Sequence, residues 1–300
     1  MTTEKVIITG GTGLLGKALV EANPGRQVIC TYIGDYAVPS TNLVSYKKLD
    51  VLDLDGYVDL FNNFRPDVVI HAASIGSPDY AEKNRENTWQ VNVGGTKVIR
   101  ELCERYQAKL IHISSNGVYD GEKAPYAEQD EAEPINYYGQ TKLESEKVAR
   151  QVSVPVAIVR PILMYGWPHA CERGNIITFA LSRLGKGETV NVYEDVCCNP
   201  LYALKCAEAI WKIIDEGKYG VYNIAGRDTV SIYELVKCVA EVFGYDTALV
   251  KPVRQGFFNE LVRRPKDTSY DTGKMRRNLG LEPLGTRDGL VMMKNTRQRP

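Results

Sequence analysis

No two of the seven cysteines (Cys30, Cys103, Cys171, Cys197, Cys198, Cys206 and Cys238) stand in a CxxC spacing. The set is odd in number, and a chain of 300 residues needs no covalent staples, so a disulfide framework is not expected. The opening MTTEKVIITGG lacks the basic start, the apolar middle of about 7 to 15 residues and the small-residue cleavage site of a secretory signal. No apolar run approaches the roughly 20 residues that cross a bilayer, so no membrane partner is expected. The cytoplasm is the expected compartment. Net charge is missing as well: 37 basic residues balance 37 acidic ones. There is no broad field to gather nucleic acid or an anionic surface, and recognition must be local.

What is present is ordinary globular stock, 44% hydrophobic and 25% charged, enough for one large domain or two small ones. Strand-like and helix-like segments alternate: KVIIT, a helix from Gly13 to Glu21, QVICTY, VSYKKLD, a helix near Leu54 to Phe64, DVVIHAA, a long helix within residues 84–107, KLIHISS, a helix from Ile135 to Arg150, and VPVAIVR. The strands are short and almost continuously apolar, as expected when helices cover both faces. The pattern predicts an α/β fold, a Rossmann-type doubly wound parallel sheet over residues 1–160. Beyond Arg160 the punctuation by proline and glycine predicts a smaller C-terminal substrate-binding lobe over residues 161–300. Segments near 196–224 are expected to return to the first domain. A helix near Tyr202 to Asp215, a strand GVYNIAG, a helix near Ser231 to Phe243 and a Pro/Arg-rich tail complete the reading.

Gly10, Gly13 and Gly16 are spaced GxxGxxG between the first strand and the helix that Leu14 and Leu15 open. Glycine there permits a tight turn and close approach of backbone to a pyrophosphate, while the helix N-terminus favours the anion. A nicotinamide dinucleotide is therefore expected. An acid closing the second strand would hold the adenosine ribose and favour NAD, whereas arginine there would suit NADP. The strand ends Cys30-Thr31-Tyr32-Ile33-Gly34-Asp35, with Asp35 a few residues late and no Arg or Lys near, so NADP or NAD stays open. Asp50, followed by Val51, is placed either to meet the adenine or to flank a helix.

Tyr138 and Lys142 lie four apart in a stretch of good helix formers and share one face. A phenol with a pKa near 10 is a poor proton donor at neutral pH, and an adjacent ammonium lowers it. Ser114, Ser115 and Asn116 follow KLIHI at the carboxyl end of the sheet, where open α/β sheets bind ligands. A hydroxyl there can hold a substrate carbonyl. The turn at Pro161 could wall the nicotinamide.

TGGTGLLG, HAAS at 71–74, VNVGGT at 91–96, ISSNGVYDG at 113–121, PINYYGQTKLESE at 134–146 and RPILMYG at 160–166 together resemble the extended short-chain dehydrogenase/reductase superfamily. VYDGEKAPYAEQDEAEP and the late RRPKDTSYDTGKMRRNLGLEP are most similar to its dTDP-4-dehydrorhamnose reductase (RmlD-like) branch. The resemblance implies Ser115 as the catalytic hydroxyl, Tyr138 as acid and Lys142 as its partner, with Lys142 also reaching the nicotinamide ribose. It implies backbone contacts from Ala72 and Ala73 to the cofactor, a nucleotide-sugar ketone as substrate, and a homodimer.

Asn116 and Gly117 stand where the superfamily's dehydratases carry an acidic pair, which leaves water elimination without its acid and base. The same three residues would also serve a sugar-nucleotide epimerase, and a relative of the branch resembles the regulatory subunit of methionine adenosyltransferase; both are alternatives. Asn116, Asn175 and Arg263 are the substrate-binding candidates. Asn175 serves equally as a helix cap, and the basic group Arg254, Arg263, Arg264 and Lys266 suits either a diphosphate or a solvated surface. His71 and His112 read as interior residues, and His169 falls in a loop near the expected cleft. Cys197 and Cys198 have no His or Cys at ligand spacing, so no metal is expected.

Overall fold

The computed structural model describes residues 4–169 and 172–296, so Cys171 lies outside the described residues. Six parallel strands come first along the chain: β1 Lys5–Thr9, β2 Gln27–Tyr32, β3 Val44–Lys48, β4 Val68–His71, β5 Lys109–Ile113 and β6 Val156–Pro161. The short strands β7 Met164–Tyr165, β8 Val190–Tyr193, β9 Cys197–Cys198 and β10 Leu201–Tyr202 follow. Then β11 Gly220–Ile224 returns to the central sheet, and β12 Val230–Ser231 and β13 Val250–Val253 come last. The seven-stranded sheet runs in the order β11-β6-β5-β4-β1-β2-β3, all parallel. This is the doubly wound Rossmann-type order that the apolar runs predicted, with its switch point between β4 and β1.

The middle of β1 shows why these strands lack alternation. Val6 and Ile8 are sealed on one face of the sheet and Ile7 on the other, each at 0% exposure. The helices up to Asp215 are α1 Leu14–Glu21, α2 Leu54–Phe64, α3 Pro78–Lys83, α4 Arg85–Trp89, α5 Gly95–Tyr106, α6 Tyr137–Ala149, α7 Ile176–Leu184 and α8 Ala203–Asp215; α1 and α8 pack on one face of the sheet and α2 and α5 on the other, while α7 packs in the C-terminal part. α8 belongs to the second half of the chain, yet its Cys206, Ala207 and Ile210 share a core with Leu15 and Leu19 of α1. The remaining helices, α9 Ile232–Phe243, α10 Gly273–Leu279 and α11 Thr286–Thr296, lie in the C-terminal part.

Three details differ from the sequence reading. The helix expected within residues 84–107 is interrupted at Gln90–Gly94 by a π turn between α4 and α5. A separate helix, α3, precedes it, capped by Ser77 with Pro78 at its start. The tail that read as Pro/Arg-rich contains α10, which buries Met275 and Leu279 four apart, and α11, which buries Leu290 and Met293 three apart. Each stripe is too short to stand out by period in the sequence, and it is fixed by the core it meets.

Candidate active site

The carboxyl ends of β1 and β4 meet at the switch point. Gly10 leaves β1 at φ +67°, and a side chain on it would put Cβ 2.9 Å from the backbone of Ala73. Glycine is required there on both counts. The Thr9 hydroxyl accepts the amides of Ala72 and Ala73, each at 3.1 Å, so these alanines are pinned to β1 and their N–H groups are used internally. Gly16 packs with its Cα side on the loop itself, where a Cβ would lie 2.5 Å from the Gly10 carbonyl. α1 starts at Leu14 after Gly13 with no side chain capping it and no acid in its first turn. An uncapped helix start facing a glycine loop fits a pyrophosphate. Asp50 is exposed, and its carboxylate accepts the Leu52 amide at 2.9 Å in the turn before α2. Val51 is buried against Gly95.

The catalytic candidates come together at the ends of β5 and α6. Asn136 caps α6 by accepting the Gly139 amide at 3.0 Å. A Cβ on Gly139 would stand 2.1 Å from the Gly117 carbonyl, and one on Gly117 would stand 3.1 Å from the Tyr138 ring. These two glycines let the start of the helix sit on the loop after β5. Tyr138 is thereby brought beside Ser115: a Cβ on Gly117 would also lie 3.5 Å from Ser115 Oγ. Ser115 is buried; its Oγ accepts the Gly117 amide at 3.1 Å and donates to Asn116 Oδ1 at 3.3 Å. Asn116 in turn donates to Thr268 Oγ1 at 2.7 Å.

Burial raises the Tyr138 phenol above its usual value, against the opposing pull of the Ser115 hydrogen bond and the Arg173 cation. Lys142, the partner that the sequence reading expects for Tyr138, is buried one turn along α6 with Nζ donating to the Ile113 carbonyl at 2.7 Å. Burial brings its ammonium down to about 8, and Glu146 on the next turn works in the opposite sense.

Glu146 anchors a polar network that the sequence reading did not single out. Its carboxylate takes two bonds from Arg160, each 2.7 Å, and one from Ser114 at 2.6 Å. Arg160 also donates to the Tyr119 hydroxyl at 2.7 Å. Asn92 was missed too, although it lies inside the quoted VNVGGT. Within the π turn it accepts the Ile75 amide at 2.7 Å and donates to Thr141 Oγ1 at 3.0 Å, tying the loop after β4 to the residue beside Lys142. A π turn that aims one side chain is a common device at functional sites.

Other candidates are placed as follows. Pro161 ends β6, paired with Ile224. Asn175 caps α7 in a capping box and also donates to the Gly166 carbonyl at 2.8 Å. Arg263 is exposed and paired with Glu122 at 3.2 Å, while Arg264 joins Asp79 of α3 to Glu260. His71 and His112 are buried, and burial pushes both below the usual imidazole range, to about 3 for His71. The His169 ring is likewise held below its usual value by burial. Cys198 is buried, and burial raises its thiol. No group of three or more His, Cys, Asp or Glu side chains placed to hold a metal occurs among the described residues.

A family model described as the RmlD substrate binding domain matches residues 4–298. The chain belongs to that family. It is 27% identical to a dTDP-4-dehydrorhamnose reductase of Aggregatibacter actinomycetemcomitans over 93% of this chain and 94% of that protein. It is 26% identical to the methionine adenosyltransferase 2 subunit beta of Rattus norvegicus over 91% of this chain and 82% of that protein. Among solved structures, a dTDP-4-dehydrorhamnose reductase of Bacillus anthracis in complex with NADP superposes with a TM-score of 0.86 at 25% identity, covering 98% of this chain and 100% of that one. The RmlD-family chain is thus an NAD(P)-dependent oxidoreductase of the extended short-chain dehydrogenase/reductase type.

Proposed function

We propose that this protein is an NAD(P)H-dependent reductase of a nucleotide-linked 4-keto-6-deoxy sugar. The observation that carries the reading is the convergence of Tyr138 and Ser115 around Gly117, with Lys142 buried one turn away, at the sheet end where the glycine loop lies. The 27% identical reductase supports the substrate class.

The dinucleotide, when bound, supplies the hydride. Gly10, Gly13 and Gly16 with the start of α1 at Leu14 and Leu15 hold its pyrophosphate, and Ala72, Ala73, Val51 and Pro161 line its path. The Ser115 hydroxyl donates a hydrogen bond to the ketone oxygen and fixes it beside Tyr138. Tyr138 gives its phenolic proton to that oxygen as the carbonyl carbon takes up the hydride, so ketone becomes secondary alcohol and Tyr138 is left as phenolate. The Lys142 ammonium stabilises that phenolate. Asn116 and Arg263 are the proposed substrate contacts, and a homodimer is part of the same proposal.

The test is oxidation of NADH or NADPH on supplying such a sugar nucleotide. Tyr138→Phe and Lys142→Met are each expected to lower kcat by about 10²- to 10⁴-fold. Full activity in both folded variants sinks the mechanism. A protein that turns over no sugar nucleotide but co-purifies with a larger enzyme belongs instead with the subunit-like relatives.

A further inference from the structure

The second strand fails to supply the acid that reads the adenosine ribose, and the structure shows what stands there instead. Asp35, the nearest acid after β2, is directed outward: its side chain is 93% exposed and paired with Lys48 at the end of β3. A different carboxylate, Glu172, arrives from the loop between β7 and α7. Thr12, the residue before Gly13 in the glycine loop, donates to Glu172 Oε1 at 2.6 Å. The Tyr36 hydroxyl, four residues past the end of β2, donates to the same oxygen. Tyr36 is held in place by stacking on Tyr32, the last residue of β2, at 5.6 Å between ring centres.

Glu172 therefore bridges the glycine loop and the end of β2. In a doubly wound dinucleotide site the pyrophosphate sits on the first of these and the adenosine ribose is read at the second. Among the described residues both bonds converge on Oε1, so Oε2 keeps its acceptor positions. We propose that Glu172 is this protein's ribose-reading acid, accepting a hydrogen bond from the 2′-hydroxyl, and that the protein prefers NADH to NADPH. A 2′-phosphate at that place would bring close to two negative charges against the Glu172 carboxylate. Lys48, at the end of β3, is already paired with Asp35. The proposal rests on the dinucleotide reading of the glycine loop and refines it.

Calorimetric titration of the purified full chain with NADH and with NADPH tests this without any turnover. The parent is expected to bind NADH about tenfold or more tightly than NADPH. Glu172→Gln is expected to bring the two within about threefold by weakening NADH, and Glu172→Lys to reverse the order. A parent that prefers NADPH overturns the proposal. So does a Glu172→Gln variant that binds both nucleotides more tightly by one factor, because Glu172 would then only fill the anion site. Narrowing of the ratio by Asp35→Asn rather than Glu172→Gln overturns it as well. If neither nucleotide binds, the dinucleotide reading falls and takes this proposal with it; if both bind with equal affinity, the reading stands and only this proposal falls.

Discussion

Glu146 and Arg160 meet inside the protein in a two-pronged ion pair, Nε to Oε1 and Nη2 to Oε2, with side chains only 1% and 5% exposed. α6 is thereby locked to β6 one turn below Lys142. The Arg160 cation, with Ser114, holds the Glu146 carboxyl below its usual range despite burial, which by itself raises it.

Removing one partner leaves a buried charge. Arg160→Met is expected to cost about 3–5 kcal/mol in urea unfolding. The double change Glu146→Gln with Arg160→Met should recover much of that, because no uncompensated charge remains. If Arg160→Met unfolds at the parent's urea midpoint, the pair does not hold the helix.

Lys142 works the other way. Burial keeps its ammonium at about 8 in the folded protein, against about 10.4 in an unfolded chain. Between those values the unfolded chain binds more protons, so stability rises with pH across this window, and below pH 8 the full cost of the buried charge is present. Lys142→Met is expected to be more stable than the parent at pH 7 by about 2 kcal/mol, after allowing for the lost bond to Ile113. That advantage should shrink as pH climbs towards 10. A parent equal to or more stable than the variant at pH 7 contradicts the assignment.

Gly117 offers no room for an acid of the dehydratase kind. A Cβ there lies 3.1 Å from the Tyr138 ring and 3.5 Å from Ser115 Oγ. Gly117→Asp is expected to shift the ring and lower kcat by about 10²-fold while nucleotide binding persists. Steady-state kinetics beside a binding titration decides it, and an unchanged kcat would show that the ring has space to spare.

Asn92→Ala strips the Ile75 amide of its acceptor and Thr141 of its donor. A loss of about 1–3 kcal/mol is expected. Hydrogen exchange at the Ile75 amide should accelerate sharply, and an unaltered rate would mean that the loop is held by something else.

The elements legible in the sequence are those whose cause is local. KVIIT, VVIH and KLIHI read as strands because helices cover both faces, and the glycine loop reads from its spacing. Tyr138 and Lys142 read as one face because helical spacing is enough to say so. α6 nevertheless buries Lys142, Ser145 and Glu146, a polar stripe that hydrophobic periodicity cannot reveal. Arg160 lies at the end of an apolar strand, and nothing in its neighbourhood announces Glu146. The π turn at Asn92 inserts its extra residue without any proline or unusual composition. Thr12 and Glu172 are 160 residues apart in the chain, and only the tertiary fold places one on the other.

α11 reaches back to the first helix through one side chain. The Trp167 indole donates to the Met293 carbonyl at 2.7 Å, while the Trp167 carbonyl accepts from Lys17 of α1 at 2.9 Å. The glycine loop is therefore braced by a residue made much later in synthesis. During synthesis β1, the glycine loop and α1 exist long before Met293 emerges, so a nascent chain passes through a stage with the loop present and its brace missing. Nucleotide should protect the growing protein from proteolysis only late, after α11 has docked.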